Sequence, residues 1–212
     1  VPRGAAAEAE TAPGVHSGRR VCRKAHLAQT HLCLGAAAPP VISEERYCAH
    51  LLSNILGGGV SSRLFQNIRE RRGLVYSIYS MLNLYRDAGS LVVYAGAAHG
   101  RAAEVVDLVL REFRRLRRTP VSPAELRRAK EYAKGSVLLS LESSGSRMTN
   151  LAQQIIYYGR FRRIEETLEA VERVTARDIR DLANRIFDDS ALTLTALTNR
   201  DGGGLEAVAM RV

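Results

Sequence analysis

The chain has 212 residues, 46% of them hydrophobic and 25% charged, and this composition predicts one domain with one substantial core. No apolar run approaches the roughly 18 residues that a membrane-spanning helix needs, and the first residues lack the pattern of a signal peptide. The formal charge of +9 comes almost entirely from arginine, and the most basic helix carries its one aromatic residue, Phe113, at a core position. We therefore expect no specific nucleic-acid partner.

The ends of the chain differ in composition from its middle. Residues 1–18 are small, polar and aperiodic, so they predict a linker or disordered lead-in. The predicted domain covers residues 19–200, and a glycine-rich flexible tail covers residues 201–212. Because the first residue is valine and not methionine, we expect this chain to be part of a longer protein.

The first third of the domain predicts strands followed by two helices. The segments RRVCRK and HLAQTHLCLGAAA predict one or two strands. Ser43 is the predicted N-cap of a helix that has Glu44 and Glu45 in its first turn and ends at Gly57. A shorter helix follows, with Ser61 or Ser62 as its predicted cap and Gly73 at its end.

The rest of the domain predicts a hairpin, a run of helices and a last strand. VYSIYSMLNLY and SLVVYAGAA alternate around the turn RDAG, as strands of a hairpin do. A helix is predicted from about Arg101 to Arg118, and another begins at Ser122-Pro123. Further helices are predicted over SRMTNLAQQIIYYG, over RIEETLEAVERV and after a cap at Thr175, and the strand SALTLTALT follows them. This order indicates an α+β fold, with a mainly antiparallel sheet and helices packed on one face.

Metal and phosphate motifs are missing from the sequence. The five histidines form neither H-x-x-E-H nor H-E-x-x-H, so we expect no metal site in this chain. The run LGGGVSS lacks the lysine of a phosphate-binding loop, and its glycines predict a tight turn between helices. The cysteines, which include no C-x-x-C pair, are typical of thiols in a reducing compartment: Cys22, Cys33 and Cys48.

Arg69 and Tyr76 stand out as candidate site residues. Arg69 falls in the last turn of a predicted helix, and Tyr76 begins a predicted strand just after the reversal at Gly73. A guanidinium group is a fork of donors that suits peptide carbonyls, and a tyrosine hydroxyl is a rigid donor to a developing oxyanion. A surface arginine and a half-buried tyrosine are the other interpretation that these residues allow.

The stretch ERYCAHLLSNILGGGVSSRLFQNIRERRGLVYSIYS resembles the second half of the pitrilysin or insulinase-like zinc peptidases. The similarity is strongest to bacterial enzymes that resemble mitochondrial processing peptidase. It extends from HLCLGAAAP through DAGSLVVYAG to SALTLTAL. The resemblance implies a clamshell of two homologous halves, in which the other half binds zinc through H-x-x-E-H and a further glutamate.

The resemblance also implies roles for an arginine and a tyrosine seven residues apart. Ile68 precedes Arg69, and Tyr76 follows seven residues later, as in the family pattern. Tyr76 would then donate to the tetrahedral oxyanion, and Arg69 would hold the substrate backbone. The same spacing separates Arg72 from Tyr79, so the pairing stays open, with Arg69 and Tyr76 favoured by their apolar and Gly-Leu context.

By the resemblance, the chain is the substrate-binding half of a zinc metalloendopeptidase. Its expected partners are a zinc-bearing half, in the same or another polypeptide, and a peptide substrate; alone it is expected to be inactive. The alternative is a non-catalytic partner subunit, or a structural core subunit of a respiratory complex. The sequence leaves the compartment open between the bacterial cytoplasm and the periplasm, and the cysteines favour a reducing one.

Overall fold

A computed structural model describes residues 12–199 and 204–212. The elements follow one another as β1 (Gly18–Arg23), β2 (Thr30–Ala38), α1 (Arg46–Gly57), a π-helix (Phe65–Glu70), β3 (Val75–Leu84), β4 (Gly89–Ala97), a 3-10 turn (His99–Arg101), α2 (Ala102–Arg118), α3 (Pro123–Ser140), α4 (Ser144–Tyr158), α5 (Ile164–Arg173), α6 (Ala176–Ile186) and β5 (Thr193–Thr198). Within these described residues, no helix is both long enough and apolar enough to cross a membrane.

The five strands of the described residues form one mixed sheet in the order β1-β5-β2-β4-β3. The pairs β2–β4, β2–β5 and β3–β4 are antiparallel, and only the pair of β1 with β5 is parallel. Strands β3 and β4 form the predicted hairpin. The α+β class and the mainly antiparallel sheet that the sequence predicts are therefore confirmed.

The core lies between the sheet and the helices. In β2, Leu32 and Leu34 are buried toward the helices, whereas Cys33 on the opposite face is half-buried. Helices α1, α2 and α6 bury apolar stripes against this side of the sheet. The rings of Phe113 in α2 and Phe187 after α6 stack at 4.0 Å between centroids. The alternation of buried and half-buried positions along β2 gives the sheet one face toward the core and one more open face.

Two predicted helix caps are wrong. Helix α1 begins at Arg46, and Glu45 occupies its N-cap position, so no acid lies in the first turn. The Ser43 hydroxyl instead accepts a hydrogen bond from the Glu45 N–H in a turn before the helix. Ser62 does not cap the short helix, because its hydroxyl donates to the Gly59 carbonyl at 2.6 Å and closes the preceding turn. The predicted Thr175 cap is confirmed, because its side chain accepts a backbone N–H. Helix α3 begins after Ser122 as predicted, and the Ser122 side chain also accepts a backbone N–H.

The C-terminal segment contacts the domain. Leu205 is 1% exposed, and the Arg117 guanidinium donates to the Val212 carbonyl at 2.6 Å. These contacts involve the described part of the segment that the sequence predicts as a flexible tail, whereas residues 201–203 lie outside the described residues. Of the predicted lead-in, residues 1–11 lie outside them as well, and residues 12–17 form neither helix nor strand. The predicted domain limits of 19 and 200 stay a prediction.

Candidate functional site

The short helix before β3 is a π-helix, a form that is rare and often found at functional sites. The Arg71 N–H donates to the Gln66 carbonyl, five residues back, at 3.1 Å. Ile68 is fully buried and anchors the helix in the core. The chain then reverses at Gly73, whose φ of 62° lies in the left-handed region that favours glycine. This reversal brings the chain directly into β3.

Arg69 lies in the last turn of the π-helix, and its side chain is exposed. Its guanidinium carbon sits 4.9 Å from the centroid of the Phe65 ring. Among the described residues it has no hydrogen-bond or ion-pair partner, so its donors are available to a ligand. The contact with Phe65 holds the charged group in place without using its N–H groups.

Tyr76 lies at a bulge at the start of β3. Val75 pairs with Ala97 and Ser77 pairs with Gly96, so Tyr76 is the extra residue between two paired positions. Bulges commonly redirect a side chain. The Tyr76 side chain is 69% exposed, and within the described part of the chain its hydroxyl has no hydrogen-bond partner.

The alternative pair, Arg72 and Tyr79, is engaged within the domain. The Arg72 guanidinium donates to the Asn67 carbonyl at 2.7 Å. The Tyr79 ring lies 5.0 Å from the ring of Tyr94 on the neighbouring strand. The Tyr94 hydroxyl and His31 Nδ1 are 2.8 Å apart, so Tyr79 belongs to an aromatic row across the open face of the sheet.

A polar cluster beneath the π-helix escaped the sequence reasoning. Arg63 donates from Nε and Nη2 to the two carboxylate oxygens of Glu125, each at 2.8 Å. Nearby, Asn67 donates to Glu112 Oε1 at 2.7 Å. Burial opposes ionisation of Glu125, but the hydrogen bonds and charge of Arg63 outweigh it and hold the pKa of Glu125 below its usual value. The cluster ties the start of the π-helix to α2 and α3.

The sequence contained no signal for this cluster, only a motif that indicates another contact for Glu125. Ser122 and Glu125 have the S-x-x-E spacing of a capping box, and the Ser122 hydroxyl accepts the Glu125 N–H at 3.2 Å. The Glu125 carboxylate is turned to Arg63, 62 residues away, instead of back to its own helix end. A partner at that separation leaves no local pattern.

Among the described residues, no group of three His, Cys, Asp or Glu is placed to hold a metal ion.

The comparisons with known proteins identify the family of the chain. The profile of the "Peptidase M16 inactive domain" matches residues 3–132, well over half of the chain and the whole Arg69–Tyr76 region. The chain belongs to this family. The resemblance to the pitrilysin or insulinase-like zinc peptidases is thus confirmed.

Relatives of this M16 inactive domain carry zinc-protease names. The chain is 40% identical over 160 residues to an uncharacterized zinc protease of Mycobacterium leprae, covering 76% of this chain and 36% of the relative. It is 35% identical over 183 residues to the uncharacterized zinc protease YmxG of Bacillus subtilis, covering 86% of this chain and 44% of the relative. The M16 domain thus spans less than half the length of these curated relatives.

Solved structures share the fold of this M16 domain. A peptidase M16 inactive domain from Pseudomonas fluorescens superimposes with a TM-score of 0.82 at 19% identity, covering 94% of this chain and 48% of that one. A chain of complex III2 from Candida albicans gives the same TM-score and identity, covering 93% of this chain and 49% of that one. At such identity these similarities establish the fold alone.

Proposed function

We propose that this M16 domain is the substrate-holding half, without zinc, of a zinc-dependent metalloendopeptidase that cleaves peptides or unfolded segments. One observation carries the proposal: in the pair Arg69 and Tyr76 neither polar group has a partner among the described residues, whereas in the alternative pair Arg72 donates to a backbone carbonyl. Tyr79 is packed against Tyr94. Exposed donors on firmly held elements are what substrate binding requires.

Each of the two side chains has a separate task in this proposal. The Tyr76 hydroxyl donates a hydrogen bond to the oxygen that becomes negative when the peptide carbonyl is attacked, and this stabilises the transition state more than the ground state. Arg69 donates to backbone carbonyls of the substrate and holds the chain extended. A companion half with H-x-x-E-H would hold the zinc ion, which would supply polarisation of the carbonyl and activation of water.

The proposal also assigns inactivity to this half alone, because the companion half contributes the zinc chemistry. The purified chain should bind no stoichiometric zinc and cleave no peptide. Metal analysis of the purified chain and a quenched-fluorophore peptide library measure both properties. One tightly held zinc ion per chain, or cleavage by the chain alone, would contradict the division of roles.

The site assignment is tested with the companion half restored, in one polypeptide or as a second subunit. Tyr76→Phe keeps the ring and removes one donor, so kcat should fall by roughly 10²–10³-fold. Arg69→Ala should raise KM more than it lowers kcat, because its contacts exist before and during the reaction. Tyr79→Phe is the matched control and should leave both constants near wild type.

Three other outcomes have clear meanings. Near-wild-type kinetics for both Arg69→Ala and Tyr76→Phe, together with losses for Arg72→Ala and Tyr79→Phe, would move the site to the alternative pair. Insensitivity of all four variants, with circular dichroism spectra unchanged, would favour a non-catalytic partner or core subunit. Absence of any peptidase activity in the wild-type assembly would do the same.

A further inference from the structure

The surface formed by the end of α3 and by α4 is unusually poor in charge. Residues 135–159 contain two charged residues among 25, Glu142 and Arg147, although 25% of the whole chain is charged. Helix α4 buries none of its residues. Large apolar side chains cover this region, and those of Leu139, Met148 and Ile156 are 66–70% exposed. We call these 25 residues the α3–α4 surface.

Helix α4 is held at its C-terminal end. The Tyr158 hydroxyl donates to the Val41 carbonyl at 2.9 Å. The guanidinium carbons of Arg46 and Arg162 lie 5.1 Å and 4.5 Å from the centroid of the Tyr158 ring. These contacts fix the direction of α4 and leave its apolar sides open. The α3–α4 surface is therefore presented by an anchored helix.

Such a surface is not that of a helix that faces only water. A solvated helix carries charged residues on its outer face, and α4 has one charge in 15 residues. Contiguous exposed apolar patches on soluble proteins commonly mark interaction sites. The apolar residues of α4 need another surface that is equally poor in charge.

The relatives indicate which surface that is. The curated relatives extend well beyond the matched region, which makes up 36% to 44% of their length. The position of α4 also leaves the candidate site accessible. Val41, which holds the end of α4, donates its N–H to the carbonyl of Tyr85 just after the end of β3, whereas Tyr76 lies near the start of that strand. Strand β3 has ten residues, so its two ends lie roughly 30 Å apart.

We propose that the α3–α4 surface is the docking surface for the zinc-bearing companion half; this inference rests on the two-half assembly of the proposed function. The companion presents an apolar surface to α4 at one end of β3 and leaves a substrate at Arg69 and Tyr76 at the other end. A second copy of this chain fits less well, because self-association would bring together two chains of net charge +9 each.

The test measures binding between this chain and a separately purified polypeptide that carries the H-x-x-E-H half. In the variant Met148→Glu/Ile156→Glu, two charges replace exposed apolar side chains on a helix that tolerates glutamate. We expect the dissociation constant to rise by more than about tenfold, since central apolar contacts dominate interface energies. Val60→Glu, at an equally exposed apolar residue in the glycine-rich turn, is the control and should change it less than about twofold.

Hydrogen exchange locates the contact in the same sample. Amides of residues 135–159 should become protected when the companion half is added. Unchanged affinity of the double variant, with no protection there, would overturn the inference. So would self-association of this chain that the double variant abolishes while companion binding persists.

A separate variant distinguishes this inference from the proposed site. Tyr76→Phe should bind the companion half as tightly as wild type. If the double variant weakens binding but Tyr76→Phe is fully active, the substrate-holding role fails and the docking surface stands. If the companion half binds equally well to the wild type and to the double variant while Tyr76→Phe loses activity, only the docking surface fails.

Discussion

The ion pair beneath the π-helix supports a quantitative stability prediction. Arg63 and Glu125 make two charge-assisted hydrogen bonds at 2.8 Å, and their side chains are 12% and 20% exposed. Arg63→Met removes the cation and leaves the Glu125 carboxylate in its half-buried site. Breaking a buried pair in this way costs about 3–5 kcal/mol, and the residual exposure of both groups places the expected loss near 3 kcal/mol.

A double variant distinguishes the contribution of the ion pair itself from the cost of leaving one buried charge without a partner. Arg63→Met/Glu125→Leu removes both charges and refills the space with apolar atoms, so most of the loss should return, to within about 1 kcal/mol of wild type. Urea denaturation followed by circular dichroism measures all three proteins. A loss below about 1 kcal/mol for Arg63→Met would refute the reasoning, because it would mean that the pair is worth no more than one on the surface.

The pH dependence of the same pair has a definite sign. The pKa of Glu125 is lowered in the folded chain, where the interactions with Arg63 outweigh the opposing effect of burial. The stabilisation is therefore fully present above the unfolded pKa of about 4.3 and is lost as the pH falls through the lower folded value. The difference in unfolding free energy between wild type and Glu125→Gln should shrink below about pH 4. A constant difference from pH 7 to pH 3 would contradict this.

Two further predictions concern α1. Burial raises the pKa of the Cys48 thiol to about 12, so iodoacetamide at pH 8 should leave Cys48 unmodified while Cys22 reacts. In denaturant all three cysteines should react. Mass spectrometry measures the modification, and equal rates for Cys48 and Cys22 in the native chain would contradict the prediction. A Cβ at Gly57 would lie 2.5 Å from the Ser80 backbone nitrogen, so Gly57→Ala should destabilise the chain by about 1–3 kcal/mol in urea denaturation. Gly59→Ala, with open space around its Cβ, is the control and should be nearly neutral, and equal stabilities of the two variants would show that α1 can move away from β3.

Elements set by neighbouring residues could be predicted from the sequence. The Thr175 cap and the start of α3 at Ser122-Pro123 depend on contacts within about four residues, and both are as predicted. The hairpin of β3 and β4 follows from alternation around one turn. The Arg-x₆-Tyr spacing was also visible in the sequence, but it fitted Arg72 and Tyr79 as well as Arg69 and Tyr76.

Only the tertiary structure separates these two pairs by their surroundings. The bulge at Tyr76 depends on how β3 aligns with β4, and the packing of Tyr79 on Tyr94 joins neighbouring strands. The Arg63–Glu125 pair joins residues 62 positions apart, and the contact of Leu205 with the core joins the end of the chain to its middle. Local propensity carries no information about such contacts, because their free energy arises when distant segments are desolvated together in the folded chain.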